Sequence, residues 1–208
     1  MILYLHGFAS GPASKKGLEL ERRFAEVGET LVRADLTPGL DGFERSTPLT
    51  MLAEIERLLA LHRPRALLGS SLGGYLAALA ASRGATLERL VLLAPAFRLF
   101  ERWRARLSAE EEARWRAEGL AVEHHGSGRL RRLGFAFLEE AARLPPFPEV
   151  RVPTLCFAGK ADELVPLADV ALFVERTPGA RLVTLEDGHD LLGSLDRIFE
   201  EARVFLSP

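Results

Sequence analysis

Gly69-Ser70-Ser71-Leu72-Gly73 sets a serine between two glycines where a short apolar run, Ala66–Gly69, gives way to a stretch with helical character. This is the Gly-x-Ser-x-Gly pattern, in which a sharp strand-to-helix turn exposes a serine hydroxyl as a nucleophile. Such a turn strains the serine backbone, so the positions two before and two after must be tiny. Ser71 has Gly69 and Gly73 in those places, whereas Ser70 has Leu68 and Leu72. Ser71 is therefore the candidate nucleophile; a serine here is otherwise a helix cap. His6-Gly7-Phe8 closes the first apolar run, Ile2–Leu5. A loop in that place gives one backbone N–H to a developing oxyanion, and the residue after the nucleophile gives the second. The candidate donors are the amides of Phe8 and Leu72, with Gly7 allowing close approach and His6 propping the loop.

A serine nucleophile needs a histidine base on a late loop. Of His6, His62, His124, His125 and His189, only His189 follows the last strand, in Glu186-Asp187-Gly188-His189-Asp190. His62 sits at a helix end beside Pro64 and reads as solvated. His124 and His125 are adjacent, so an extended segment points them to opposite faces, and no acidic or cysteine ligand has fitting spacing for a metal. The acid is expected after the preceding strand, where Ala158-Gly-Lys-Ala-Asp162 supplies Asp162. Glu163 is the next choice. Asp169 lies inside a helix, and Asp187 and Asp190 are too near His189 in the chain to align its ring well. The chain order is then Ser71, Asp162, His189. Cys156, the one cysteine, reads as a small core residue and excludes a disulfide framework.

Short apolar runs must position these residues. Strands are expected at Ile2–Leu5, Thr30–Leu36, Ala66–Gly69, Arg89–Leu93, Thr154–Ala158 and Leu182–Leu185. Between them lie helical patterns at Ser14–Glu26, Pro48–Leu61, Leu72–Ser82, Pro166–Glu175 and Leu191–Leu206. Strands alternating with helices imply right-handed crossovers and a parallel sheet covered on both faces. Near-continuous apolar strands agree, because burial on both faces leaves no polar alternation. From Arg98 to Val150 helix arrives without a strand of its own. Ser108 and Glu111 form a capping box for a helix ending by Gly119. Leu120–Leu133, turning at Gly126-Ser127-Gly128, suits a hairpin, and Phe135–Leu144 suits a helix stopped by Pro145-Pro146. The segment holds both tryptophans, Trp103 and Trp115, with Phe100, Phe135 and Phe137. It reads as a cap or lid over the strand ends, or else as a helical excursion with its own small core. Residues 1–97 and 151–208 would then form the core of a single domain.

Composition narrows the partners. The 208 residues are 48% apolar and 27% charged with a net charge of −2, which suits a soluble globular chain and argues against nucleic acid. No apolar run approaches a membrane span. Met1 is followed at once by Ile-Leu-Tyr-Leu, so no signal peptide and a cytoplasmic location are expected. The absence of Asn and Gln, with only two Met, fits a thermophilic source or a GC-rich genome.

The chain resembles the α/β-hydrolases, and more closely the small bacterial YqiA-type esterases. The likeness lies in Leu3-Tyr4-Leu5-His6-Gly7-Phe8 with Ser14-Lys15 following, in Gly69-Ser70-Ser71-Leu72-Gly73-Gly74-Tyr75 and in Pro95-Ala96. It is close over about the first 97 residues. Asp190 after the histidine and the cap-like segment from Arg98 depart from that family. The resemblance implies a three-layer, doubly wound α/β fold that lacks the first two strands of the usual hydrolase sheet. Six mostly parallel strands remain, in the order 2-1-3-4-5-6, with a mainly helical cap insertion. It implies a Ser–His–Asp esterase on Ser71, His189 and Asp162, acting on a small-molecule ester through an acyl-enzyme without cofactor or metal. A thioesterase with the same residues, or an inactive hydrolase-fold binding protein, is the alternative.

Overall fold

A computed structural model describes residues 1–39, 42–125 and 128–207. Strand β1 (Ile2–Leu5) is buried throughout. Helix α1 (Lys15–Glu26) starts at Ser14, whose hydroxyl accepts the Gly17 amide at 3.3 Å. Strand β2 (Leu31–Arg33) is shorter than the expected Thr30–Leu36, because only Ile2, Leu3 and Tyr4 pair with it at this sheet edge. Helix α2 (Pro48–His62) is fixed by the Thr47 capping box and by proline in its first turn, where no N–H is needed. Strand β3 (Ala66–Ser70), helix α3 (Leu72–Ser82) and strand β4 (Arg89–Leu93) follow.

The chain then leaves the sheet for helices α4 (Leu99–Arg106) and α5 (Ala109–Glu118), strands β5 (Leu120–His124) and β6 (Arg129–Leu133) and helix α6 (Ala136–Ala141). It returns as strand β7 (Thr154–Gly159), helix α7 (Leu167–Arg176), strand β8 (Ala180–Leu185), a 3-10 turn (Leu192–Ser194) and helix α8 (Leu195–Leu206). The β5–β6 pair is antiparallel; the expected turn residues Gly126 and Ser127 lie outside the described residues. Helix α8 begins later than the expected Leu191 because Leu191 itself sits at φ +55°, outside helical geometry.

The main sheet has the order β2-β1-β3-β4-β7-β8, every neighbour parallel. Counting only its own six strands, this is the order 2-1-3-4-5-6. Register aligns the carboxyl ends: Leu5 pairs with Gly69, Ser70 with Leu93, Leu93 with Phe157 and Gly159 with Leu185. The segments that follow β1, β3, β7 and β8 therefore gather along one sheet edge.

Alternate side chains face opposite sides of a strand. Ile2, Tyr4, Leu68, Val91 and Phe157 join α1 and α8 in one apolar cluster. Leu3, Leu5, Leu67, Leu92 and Cys156 face the other cluster, with α2 and α3. Phe100, Trp115, Leu133 and Phe137, from the segment between β4 and β7, belong to that second cluster as well. Among the described residues the excursion thus forms no core of its own; its aromatic residues complete the core of one sheet face. Polar ties reinforce the seam, since Arg98 donates to Asp169 of α7 at 3.3 Å and Arg102 donates to the same carboxylate. Among the described residues no helix is long and apolar enough to cross a membrane.

Candidate active site

Ser71 stands at the turn between β3 and α3 with φ +53° and ψ −116°, a conformation that costs a non-glycine residue about 1–3 kcal/mol. Its surroundings over-determine it. Ser71 N–H donates to the Leu93 carbonyl at 2.8 Å, and its own carbonyl accepts from Tyr75 and Ala96 at 3.0 Å each. A Cβ on Gly69 would collide with the Gly73 carbonyl, and a Cβ on Gly73 with the carbonyls of Leu5 and His6. The two glycines therefore let α3 press onto the ends of β1 and β3. Pressed together in this way, the turn holds the Ser71 hydroxyl clear of the helix, and no side-chain cap bond engages it.

The hydroxyl meets His189. Ser71 Oγ lies 2.9 Å from His189 Nε2, and His189 Nδ1 lies 2.8 Å from Asp162 Oδ2. The other Asp162 oxygen accepts the Leu164 and Val165 amides at 2.9 and 2.8 Å, which aims Oδ2 at the ring. The Asp162 side chain is only 1% exposed. Burial alone raises its carboxyl, but the hydrogen bonds from His189 and from the Val165 and Leu164 amides outweigh it, holding the pKa below the ordinary value. Carboxylate, imidazole and hydroxyl thus form one line in which His189 can take the Ser71 proton through Nε2 while Nδ1–H stays on Asp162.

Beside this line runs the loop after β1. A Cβ on Gly7 would stand 3.4 Å from Ser71 Cβ, so the loop passes against the serine. Among the described residues no carbonyl or side chain accepts from the amides of Phe8 or Leu72. His6 braces the loop from behind: Nδ1–H donates to the Gly7 carbonyl at 2.9 Å, and Nε2 accepts the Leu36 amide at 3.3 Å. Burial lowers the His6 pKa, keeping the ring neutral so that Nε2 remains an acceptor. The tip of the β5–β6 pair braces the same loop from above, where His125 N–H donates to the Ala9 carbonyl at 2.7 Å. The Phe8 ring packs on Phe43, Trp103 and Phe137 at centroid distances of 5.8, 5.6 and 5.5 Å.

A family model described as "Uncharacterised protein family (UPF0227)" matches residues 1–205. The chain belongs to that family. A search of the curated proteins finds no match. Among solved structures, Est1E from Butyrivibrio proteoclasticus with ferulic acid bound is 21% identical with a TM-score of 0.81, over 99% of this chain and 87% of that one. Mouse alpha/beta hydrolase domain-containing protein 10 is 20% identical with a TM-score of 0.80, over 99% and 88%. A structure from work on the metagenome-derived lipolytic enzymes LipS and LipT is 20% identical with a TM-score of 0.70, over 98% and 91%. These likenesses establish the α/β-hydrolase fold for this UPF0227 chain, with strand order and layers as described above.

The remaining candidates from the sequence fall elsewhere. Glu163 and Asp190 are exposed, and Asp169 is engaged by Arg98 and Arg102. Asp187 accepts the Gly188 amide at 2.8 Å rather than the imidazole. His62 is exposed at the end of α2, and the His124 ring lies edge-on against Phe43 at 5.0 Å. Among the described residues no three His, Cys, Asp or Glu side chains group as a metal site. Cys156 is buried in β7, and burial pushes its thiol pKa up. Sequence reasoning missed Lys16, whose Nζ donates to Ser70 Oγ at 2.9 Å beneath the serine turn.

Proposed function

We propose that this chain is a serine hydrolase that cleaves carboxylic esters through an acyl-enzyme. The observation that carries the reading is the line Asp162–His189–Ser71, with both hydrogen bonds under 3 Å. Ser71 Oγ attacks the ester carbonyl as His189 Nε2 takes its proton, and the amides of Phe8 and Leu72 receive the oxyanion. The carbon–oxygen bond to the alcohol breaks as His189 returns the proton to the leaving oxygen. Water then attacks the acyl carbon with His189 again as base, freeing the acid and restoring Ser71. Asp162 fixes the tautomer and stabilises the imidazolium. The fold shared with Est1E, whose structure holds ferulic acid, supports an ester as substrate.

The reading is tested by labelling with a fluorophosphonate, followed by mass spectrometry of the modified peptide. One adduct on Ser71 is expected, together with turnover of p-nitrophenyl acetate. An unlabelled Ser71 overturns the proposal, and faster turnover of thioesters than of oxygen esters redirects it to a thioesterase.

Residues 98–150 act as a cap that shapes the acyl side of this site. Trp103 is half-buried against Phe8, so an acyl chain seated beside the Phe8 amide meets its ring, while the fully buried Phe137 holds the Phe8 ring from the core side. Each methylene buried there contributes up to about 0.8 kcal/mol, about fourfold in binding. Trp103→Ala and Phe137→Ala are therefore expected to shift the preferred ester length while Ser71 still takes the label. The measurement is kcat/KM from acetate to decanoate; an unchanged profile in both variants would leave the segment a purely structural role.

A further inference from the structure

Lys16 is the second residue of α1, turned toward the sheet and only 8% exposed. Its ammonium donates to Ser70 Oγ at 2.9 Å, and Ser70 is the residue before the nucleophile candidate. The Tyr4 hydroxyl from β1 lies against Ser14 and Ser70, completing a polar packet on the α1 side of β3. Among the described residues Lys16 forms no ion pair, yet Asp190, Asp187 and Asp162 all act on it electrostatically. Two of these flank His189 and the third accepts its Nδ1–H. Asp187 Oδ2 is buried with no hydrogen-bond partner among the described residues. Lys160, the lysine that follows β7, is already engaged by exposed Glu186.

We propose that Lys16 is a positioning residue whose buried charge holds the Ser71 turn and the His189 loop in register, and that loss of this charge ends activity in mildly alkaline solution. The role rests on the hydrolase reading above. With the ammonium present, one cation offsets three carboxylates crowded on and beside a single loop. With a neutral amine, those carboxylates repel, and the 2.9 Å contact between His189 Nε2 and Ser71 Oγ loses its support. Burial lowers the Lys16 pKa to about 8, with Asp190, Asp187 and Asp162 opposing the fall. A base with a lowered pKa is charged below that value and neutral above it, so the tie is present at neutral pH and lost as pH rises through about 8. Tyr4, the other titratable group in the packet, is raised by burial and stays protonated there.

The test measures kcat/KM for p-nitrophenyl acetate from pH 6 to 10 in the wild type, Lys16→Arg and Lys16→Met, with fluorophosphonate labelling at pH 7. Wild-type activity is expected to fall about tenfold or more above pH 8. Lys16→Arg keeps a charge that does not titrate in this range, so its alkaline fall should disappear even if its rate at pH 7 is lower. Lys16→Met should be slow and insensitive to pH on the alkaline side; where it does not fold, the arginine variant decides alone. A wild-type profile flat to pH 9.5, or an arginine variant with the wild-type midpoint, overturns the role of Lys16. If Ser71 is labelled normally in those cases, only that role fails; a wild type without label removes the hydrolase reading and this role together.

Discussion

Ser71→Ala is expected to lower kcat/KM for p-nitrophenyl acetate by about 10⁴-fold or more and to abolish fluorophosphonate labelling, with the fold intact. The hydroxyl is the atom that would bond to the acyl carbon, and the remaining site offers only oxyanion donors and binding. Stability should change little, because the strained backbone at φ +53° is held by main-chain hydrogen bonds that alanine keeps. Ser70→Ala is the contrasting variant. It leaves the nucleophile in place but strips the buried Lys16 ammonium of its acceptor, so it should cost about 1–3 kcal/mol in stability and slow turnover far less than Ser71→Ala does. Turnover and thermal unfolding of both variants separate the two roles. An active Ser71→Ala beside a dead Ser70→Ala would mean the nucleophile was assigned to the wrong serine.

The second large effect belongs to Asp162→Asn, expected to cut kcat by about 10⁴-fold with little change in KM. Oδ1 of Asp162 accepts two backbone amides, from Leu164 and Val165. An asparagine in this place must give its own carbonyl oxygen to those amides, which turns its NH₂ toward His189. The imidazole then accepts at Nδ1 and carries its proton on Nε2, where it cannot remove one from Ser71. Steady-state rates and substrate affinity at neutral pH are the measurement. A variant within about tenfold of the wild type would show that Asp162 does not fix the tautomer.

The two glycines around Ser71 made the serine turn legible, because close packing of α3 on β1 and β3 tolerates nothing larger at those positions. The six strands were legible as apolar runs and their parallel pairing from the alternation with helices, while their order came from the resemblance to the α/β-hydrolases. The sequence ranked Asp162 ahead of Glu163 by its place after the strand; what it could not show is that the Leu164 and Val165 amides orient the Asp162 carboxylate while the Glu163 side chain is exposed. Helix α4 left no start signal: Arg98 precedes it at φ +56° with no side-chain cap. The brace from His125 to Ala9 joins main chain to main chain and leaves no trace in residue type. Lys16 did leave one. It stands four and eight residues before Leu20 and Phe24, on the stripe of α1 that faces the sheet. Its place on that stripe is what marks it as a buried cation.

Trp103 and Trp115 both lie between β4 and β7, their ring centroids 5.2 Å apart, and Trp103 touches the Phe8 ring. Indole emission from this protein therefore reports on that one segment and carries nothing from the sheet, the histidine loop or the outer helices. Within the pair the two rings differ. Trp115 is buried, with its Nε1–H fixed on the Leu133 carbonyl at 2.8 Å, whereas Trp103 is half-buried at the Phe8 wall. Light absorbed by the indoles is thus a local optical reading of the space beside the Phe8 amide, with Trp115 as a steady background and Trp103 as the ring whose surroundings change when that space fills.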